Sequence, residues 1–169
     1  MHIMMETDYA LRITHILSAE NAKLEARIIS EMAAVPLRFS LKILRKLVVA
    51  GIVKSYKGSK GGYEIAKSPE DISVYDVISA MQGPIRINRC AEQGHECRRI
   101  EKEKCPYHWV FKHVSDQMAA SLSICKISDI LKRAGALPGD SAAESETPGP
   151  STLTTADIHM AGCSSCKRQ

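Results

Sequence analysis

Residues 26–66 read ARIISEMAAVPLRFSLKILRKLVVAGIVKSYKGSKGGYEIA. In the first part Ile28, Ile29, Met32 and Ala33 recur at helical spacing, which predicts a short helix over 26–34. Val35-Pro36 ends it, because proline disfavours helical geometry in the residue before it. A second helix is predicted over 38–50, with Phe39, Ile43, Leu44, Leu47 and Val48 on one apolar face and Arg38, Lys42, Arg45 and Lys46 largely off it. Gly51 supplies its C-terminal stop. Two short helices joined by a tight connection, the second amphipathic and basic at its start, make the helix-turn-helix pattern. Residues 52–56 and 63–66 then alternate around the glycine-rich KGSKGG of 57–62, which predicts a β-hairpin with a basic tip, a wing. The glycine segment lacks P-loop spacing and no helix follows it directly, so a phosphate cradle is not the reading.

Charge supports the same reading. From Met32 to Tyr63 there are seven basic residues (Arg38, Lys42, Arg45, Lys46, Lys54, Lys57, Lys60) and no acidic one, a block suited to a polyanionic partner. Residues 1–133 carry +6 and residues 134–169 carry −2, within a chain of net +4. The DNA-facing set is expected to be Arg38, Ser40 and Lys42 at the exposed start of the second helix of the pair, with Lys57 and Lys60 on the wing. Arg45 and Lys46 are expected to touch phosphates at most.

On either side, helical spacing of Ala10, Ile13, Ile16 and Leu17 predicts a first helix over 5–20. Ser73-Val74-Tyr75-Asp76 resembles a capping box and opens a short helix with Val74, Val77, Ile78 and Met81 on one side, ended by Gly83-Pro84. Residues 107–133 show Val110, Val114, Met118, Leu122, Cys125 and Ile130 close to a heptad seam, which predicts one long helix of about 37 Å. So small a body cannot cover it, and its apolar stripe predicts a homodimer, with Cys125 as a small buried hydrophobe. The expected class is therefore mainly α, a winged helix-turn-helix with a long C-terminal dimerisation helix, in one domain over 1–133. Residues 134–169, rich in Pro, Gly, Ser, Thr and Ala, are expected to form a disordered tail ending in the C-x-x-C pair Cys163 and Cys166. No secretory leader and no run of about 18 apolar residues is present, so a cytoplasmic location is expected, where cysteines stay reduced.

Residues 90–108, CAEQGHECRRIEKEKCPYH, hold three of the six cysteines in a polar loop, with six residues between Cys90 and Cys97 and seven between Cys97 and Cys105. Thiols so grouped are metal ligands more often than packing groups. Three thiolates can hold three corners of an iron-sulfur cluster, with the fourth ligand from His108 or from Asp8 of the partner subunit, and His95 as a further candidate. Two rivals keep the DNA-binding fold: a closed zinc site on Cys90, Cys97, Cys105 and His108, or a thiol switch without metal. A redox enzyme is disfavoured by the basic winged helix.

The helix-turn-helix, the G-G-Y of the wing, the segment ISVYDVISAMQG, the three-cysteine loop and the long helix, in that order over about residues 1–133, resemble the bacterial winged-helix iron-sulfur regulator family that includes IscR, NsrR and RirA. The resemblance implies a homodimeric transcriptional regulator, commonly a repressor, whose cluster state controls DNA binding in response to iron-sulfur status, redox state or nitric oxide. The N-terminal TDYALR resembles the NsrR-type start, implying Asp8 as the partner subunit's ligand to a 4Fe-4S cluster. Cys105-Pro-Tyr-His108 resembles the IscR-type ending, implying His108 and a 2Fe-2S cluster; the Asp8 pattern, matching over several residues, is preferred. By the same resemblance Lys57 falls at a basic wing position used in the minor groove, and Leu41 replaces a base-selecting glutamate, so the operator should differ from that of IscR.

Overall fold

The two helices of the 26–50 region end in the same hydrogen-bonded motif, and that repetition sets their geometry. In the computed structural model, which describes residues 3–58, 61–91, 101 and 104–134, α1 spans Met5–Glu20, α2 Ala26–Met32 and α3 Leu37–Val49. After α2, the Val35 N–H donates to the Ser30 carbonyl at 3.0 Å and the Ala34 N–H to the Glu31 carbonyl at 3.1 Å. After α3, Ile52 donates to Leu47 at 3.0 Å and Gly51 to Val48 at 3.0 Å. Both are Schellman stops, which need a left-handed residue at the turn. Gly51 supplies it at φ 68° and Ala34 at φ 52°. The helix thus ends at Met32, with Ala34 as the left-handed residue past its cap, before the proline effect acts at Val35.

The two positions carry different strain. Open space surrounds Gly51, so an added Cβ meets only the left-handed penalty of about 1–2 kcal/mol. Gly51→Ala is expected to lower Tm by about 3–6 °C. Ala34→Gly is expected to leave Tm within about 2 °C, since relief of strain offsets the added freedom of the unfolded chain. Thermal unfolding followed by circular dichroism checks the asymmetry.

The buried side of α3 is Ser40, Ile43, Leu44 and Leu47. Phe39, expected on that face, is exposed, and Ser40, expected to face DNA, is fully buried. Ser40 lies one turn before Leu44 and so beneath it, and its hydroxyl donates to the Val35 carbonyl at 3.3 Å. Ser30 Oγ donates to the same carbonyl at 2.6 Å, so one acceptor ties α2 to α3.

Strands β1 (Val53–Tyr56) and β2 (Gly62–Ile65) pair antiparallel with Val53 opposite Ile65 and Tyr56 opposite Gly62. Leu24 and Tyr63 exchange backbone hydrogen bonds of 2.9 and 2.8 Å, which dock the wing on the α1–α2 connection. That approach is close enough to require glycine next door: a Cβ on Gly62 would lie 2.6 Å from the Leu24 carbonyl oxygen.

Helix α4 (Val74–Gln82) has the expected capping box, with Asp76 N–H to Ser73 Oγ at 3.1 Å and Ser73 N–H to the Asp76 carboxylate at 2.8 Å. A 3-10 turn at Arg89–Ala91 precedes α5 (Pro106–Ile124), and α6 covers Ile127–Ala134. The core joins Ala10, Ile13 and Leu17 of α1 with Ile29, Ile43, Leu44 and Leu47 of the helix-turn-helix, Val77 and Met81 of α4 and Ile127 of α6.

The single helix expected over 107–133 is therefore two. Cys125 leaves helical geometry, and an antiparallel bridge forms between Ser73 and Lys126. Val74 N–H donates to the Cys125 carbonyl and Ile127 N–H to the Ile72 carbonyl, each at 2.9 Å. These bonds replace the helical ones, turn the chain back onto α1 and bury Ile127. Cys125 is exposed rather than buried. Along α5, Tyr107, Val110, Val114 and Met118 stay exposed, so the apolar stripe lacks cover within one chain. Among the described residues no helix is long and apolar enough to cross a membrane. The tail, with Cys163 and Cys166, lies outside the described residues, as do Lys60, His95 and Cys97.

Candidate nucleic-acid interface and metal centre

Helix α3 buries Ile43, Leu44 and Leu47, and the same turn of the helix sends Arg38, Lys42 and Arg45 outward, all exposed. Of the expected DNA-facing residues, Arg38 and Lys42 lie on this surface, Lys57 is exposed immediately after β1, and Ser40 is removed from it by burial. Arg45, expected to touch phosphates at most, is exposed, as Arg38 is. Among the described residues Arg38, Arg45 and Lys57 form no ion pair, which leaves their charge available to phosphate.

Lys42 is different, in a way no local pattern signals. Its Nζ lies 2.5 Å from Glu6 Oε1, while Lys46 Nζ lies 3.2 Å from Glu6 Oε2 and 3.2 Å from the Met81 carbonyl. One carboxylate at the start of α1 thus holds two lysines of α3. Hydrogen bonds from Lys42, then from Lys46, keep the Glu6 carboxyl below its ordinary range. A lowered carboxylate pKa means the clasp is complete at neutral pH and is lost only as pH falls through that lowered value.

The residues TDYALR do several jobs. Thr7 is buried and donates to Gln82 Oε1 at 2.9 Å, joining the start of α1 to the end of α4. Ala10 is a core residue. Asp8 points out, half exposed, and pairs with Arg12 at 2.7 Å. Arg12 also lies over the Tyr9 ring, 5.7 Å from its centroid. The two segments TDYALR and ISVYDVISAMQG therefore meet through Thr7 and Gln82.

Of the three loop cysteines, Cys90 sits in the 3-10 turn, which packs against α5, and Cys105 is the residue preceding the first turn of α5. Both are free and half-buried. The Cys105 carbonyl accepts the His108 N–H at 3.1 Å. His108 Nδ1 is buried without a hydrogen-bond partner among the described residues, an arrangement that costs about 1–3 kcal/mol unless a ligand or proton partner is supplied. Soft thiolates and an imidazole nitrogen are donor types that fit iron-sulfur or zinc chemistry. Among the described residues no three His, Cys, Asp or Glu side chains come together as a metal site, and Cys97, the expected third thiolate, lies outside them. Among the described residues Asp8 is not gathered with Cys90 and Cys105 in one chain, and its carboxylate pairs with Arg12.

A family model described as Rrf2, iron-dependent transcriptional regulator, matches residues 3–133. ORF2 of Azotobacter vinelandii, named as an HTH-type transcriptional regulator, is 30% identical over 69% of this chain and 70% of its own length. The HTH-type transcriptional regulator IscR of Escherichia coli O1:K1 / APEC is 28% identical over 61% of this chain and 62% of its own. Among solved structures, IscR of T. potens superposes with a TM-score of 0.63 at 22% identity, covering 83% of this chain and 94% of that one. CymR of B. subtilis, named there as the global cysteine regulator, superposes with a TM-score of 0.62 at 21% identity, covering 79% and 98%. At these identities the solved structures establish a shared fold.

Proposed function

The chain belongs to the Rrf2 family of winged-helix transcriptional regulators, and from that premise we propose that it is a homodimeric cytoplasmic repressor whose grip on its operator is set by an iron-sulfur cluster. It is a DNA-binding regulator and not an enzyme. Cys90, Cys97 and Cys105 would hold the cluster, with the partner subunit's Asp8 as fourth ligand to a 4Fe-4S group. The observation that carries the reading is the placement of Cys90 and Cys105: both free, half-buried, and on two elements packed together that bracket the segment containing Cys97. When bound, the cluster supplies iron whose ligation responds to nitric oxide, oxygen or iron loss.

The chain's own part in coupling is α1. Asp8 is on its exposed side, and Glu6, two residues earlier, holds Lys42 and Lys46 of α3. Any displacement of the start of α1 therefore reaches the helix expected in the major groove, and a dimer reading two half-sites tolerates little change in their spacing. Glu6→Gln removes the charge that holds both lysines. It is expected to tighten DNA binding by up to about fivefold, the range of an exposed ion pair. The slope of log affinity against log salt should steepen by about 1 as Lys42 becomes free for phosphate. An unchanged slope in a salt titration by fluorescence anisotropy would remove Lys42 from the DNA contacts.

A second reading of the ligand set is favoured by the buried, unpartnered Nδ1 of His108: Cys90, Cys97, Cys105 and His108 from one chain, around a 2Fe-2S cluster or zinc. Protein purified without oxygen decides the cofactor. Visible absorption, with iron and sulfide near stoichiometric with a cluster, is expected; colourless protein loaded with zinc, or metal-free protein, overturns the proposal.

A further inference from the structure

Helix α3, LRFSLKILRKLVV, contains no Asn, Gln, Asp or Glu, and its one hydroxyl, Ser40, is buried against the Val35 carbonyl. That removes the side chains that read adenine through N6 and N7 or cytosine through N4. What remains on the outward arc is cationic or apolar. Arg38, Lys42 and Arg45 occupy its middle, and at about 100° per residue Leu37 and Leu41 stand one turn apart on one flank, with Phe39 on the other. These three apolar side chains are 38%, 43% and 46% exposed. Leu37 and Leu41 face a groove completed by Glu25, Arg27, Tyr56 and Tyr63, between the helix pair and the wing.

Exposed leucines beside Arg38 and Arg45, which form no ion pair among the described residues, fit a partner that is anionic in its backbone and apolar at one point of its face. Duplex DNA has that character in the major groove only at thymine, whose 5-methyl group is the single apolar feature among the base edges. Resting on the reading of α3 as the DNA-facing helix, we propose that Leu41, assisted by Leu37, selects thymine in each operator half-site by contact with its 5-methyl group, while Arg38 or Arg45 supplies the hydrogen-bonding contact to guanine. Sequence preference in this protein then comes from apolar contact on one flank of a cationic helix.

The test uses the full chain and a duplex enriched by it from a random library. Each thymine of that duplex is replaced in turn by deoxyuridine, which keeps every hydrogen-bonding group and lacks only the methyl. At one or two positions per half-site the affinity should fall about fourfold, the size expected for one apolar carbon leaving water. Leu41→Ala should bind the parent and the deoxyuridine duplex equally at one of those positions, with an unchanged salt slope. Leu41→Met, which keeps apolar contact, should retain the discrimination and shows that the effect is not a general loss of fold. Equal binding of all thymine and deoxyuridine duplexes by the native protein, or full discrimination by Leu41→Ala, overturns the inference while leaving DNA binding intact. Failure to enrich any duplex overturns the DNA-binding reading and this inference together, and leaves the groove to a protein partner.

Discussion

With Met118 replaced by glutamate, the protein is expected to run as a monomer and to lose at least about a hundredfold in operator affinity. Val110, Val114 and Met118 recur every fourth residue along α5 and are exposed in one chain, as is Tyr107 a turn earlier. A helix of 19 residues with such a stripe buries it against a second copy or leaves it in water. A carboxylate placed in the seam must be desolvated without a partner, which costs several kcal/mol and exceeds what a marginal helix pair supplies. Because Met118 is outside the core of the single chain, the helical content should survive. The DNA effect follows from linkage: two half-sites bound by a dimer gain about 10²–10⁴ over one bound by a monomer. Light scattering and anisotropy on the same sample check both halves. A Met118→Glu protein that remains dimeric would move the interface off α5.

Cys105→Ser should carry the next largest effect. Serine keeps the size and the start of α5 but is a poor ligand to iron, so iron and sulfide per subunit should fall to background. Operator affinity should then differ from that of anaerobic native protein by about tenfold or more, a coupling of the usual size for two linked sites. Native protein stripped of iron should match the variant. If the variant keeps its iron, Cys105 is not a ligand; if it loses iron with no change in DNA binding, the cluster is structural and the sensing role fails. Asp8→Ala and His108→Ala separate the two ligand sets. Asp8 is half exposed and outside the core, and the Asp8→Ala protein should fold and lose cluster stability. If His108→Ala alone destabilises the cluster, the one-chain set with the buried Nδ1 is correct.

The helix-turn-helix, the wing and the short helix at Ser73 could be read directly because each rests on local rules. Periodicity marked α1, α2 and α3 to within a residue or two of their ends, Gly51 marked a left-handed stop, and Ser73 with Asp76 marked a helix start. Residue type and spacing mark the cysteines as candidate ligands, and Cys97, the middle one, lies outside the described residues. Periodicity misjudged α3 by part of a turn, exchanging Phe39 for Ser40. A serine one turn before Leu44 is cheap to bury only because the Val35 carbonyl is there to accept its hydroxyl proton.

The amino-acid sequence by itself determined the elements whose causes lie within a few residues: helix periods, caps, the glycine-rich hairpin and the basic block between Met32 and Tyr63. Only the tertiary structure decided three features. Lys42 is clasped by Glu6 from 36 positions away, Thr7 is bonded to Gln82 from 75 positions away, and the helix predicted through Cys125 is broken by a bridge to Ser73. Each is a bond between segments distant in sequence. A backbone N–H or a lysine chooses such a partner over its local one only after packing has brought the partner within reach.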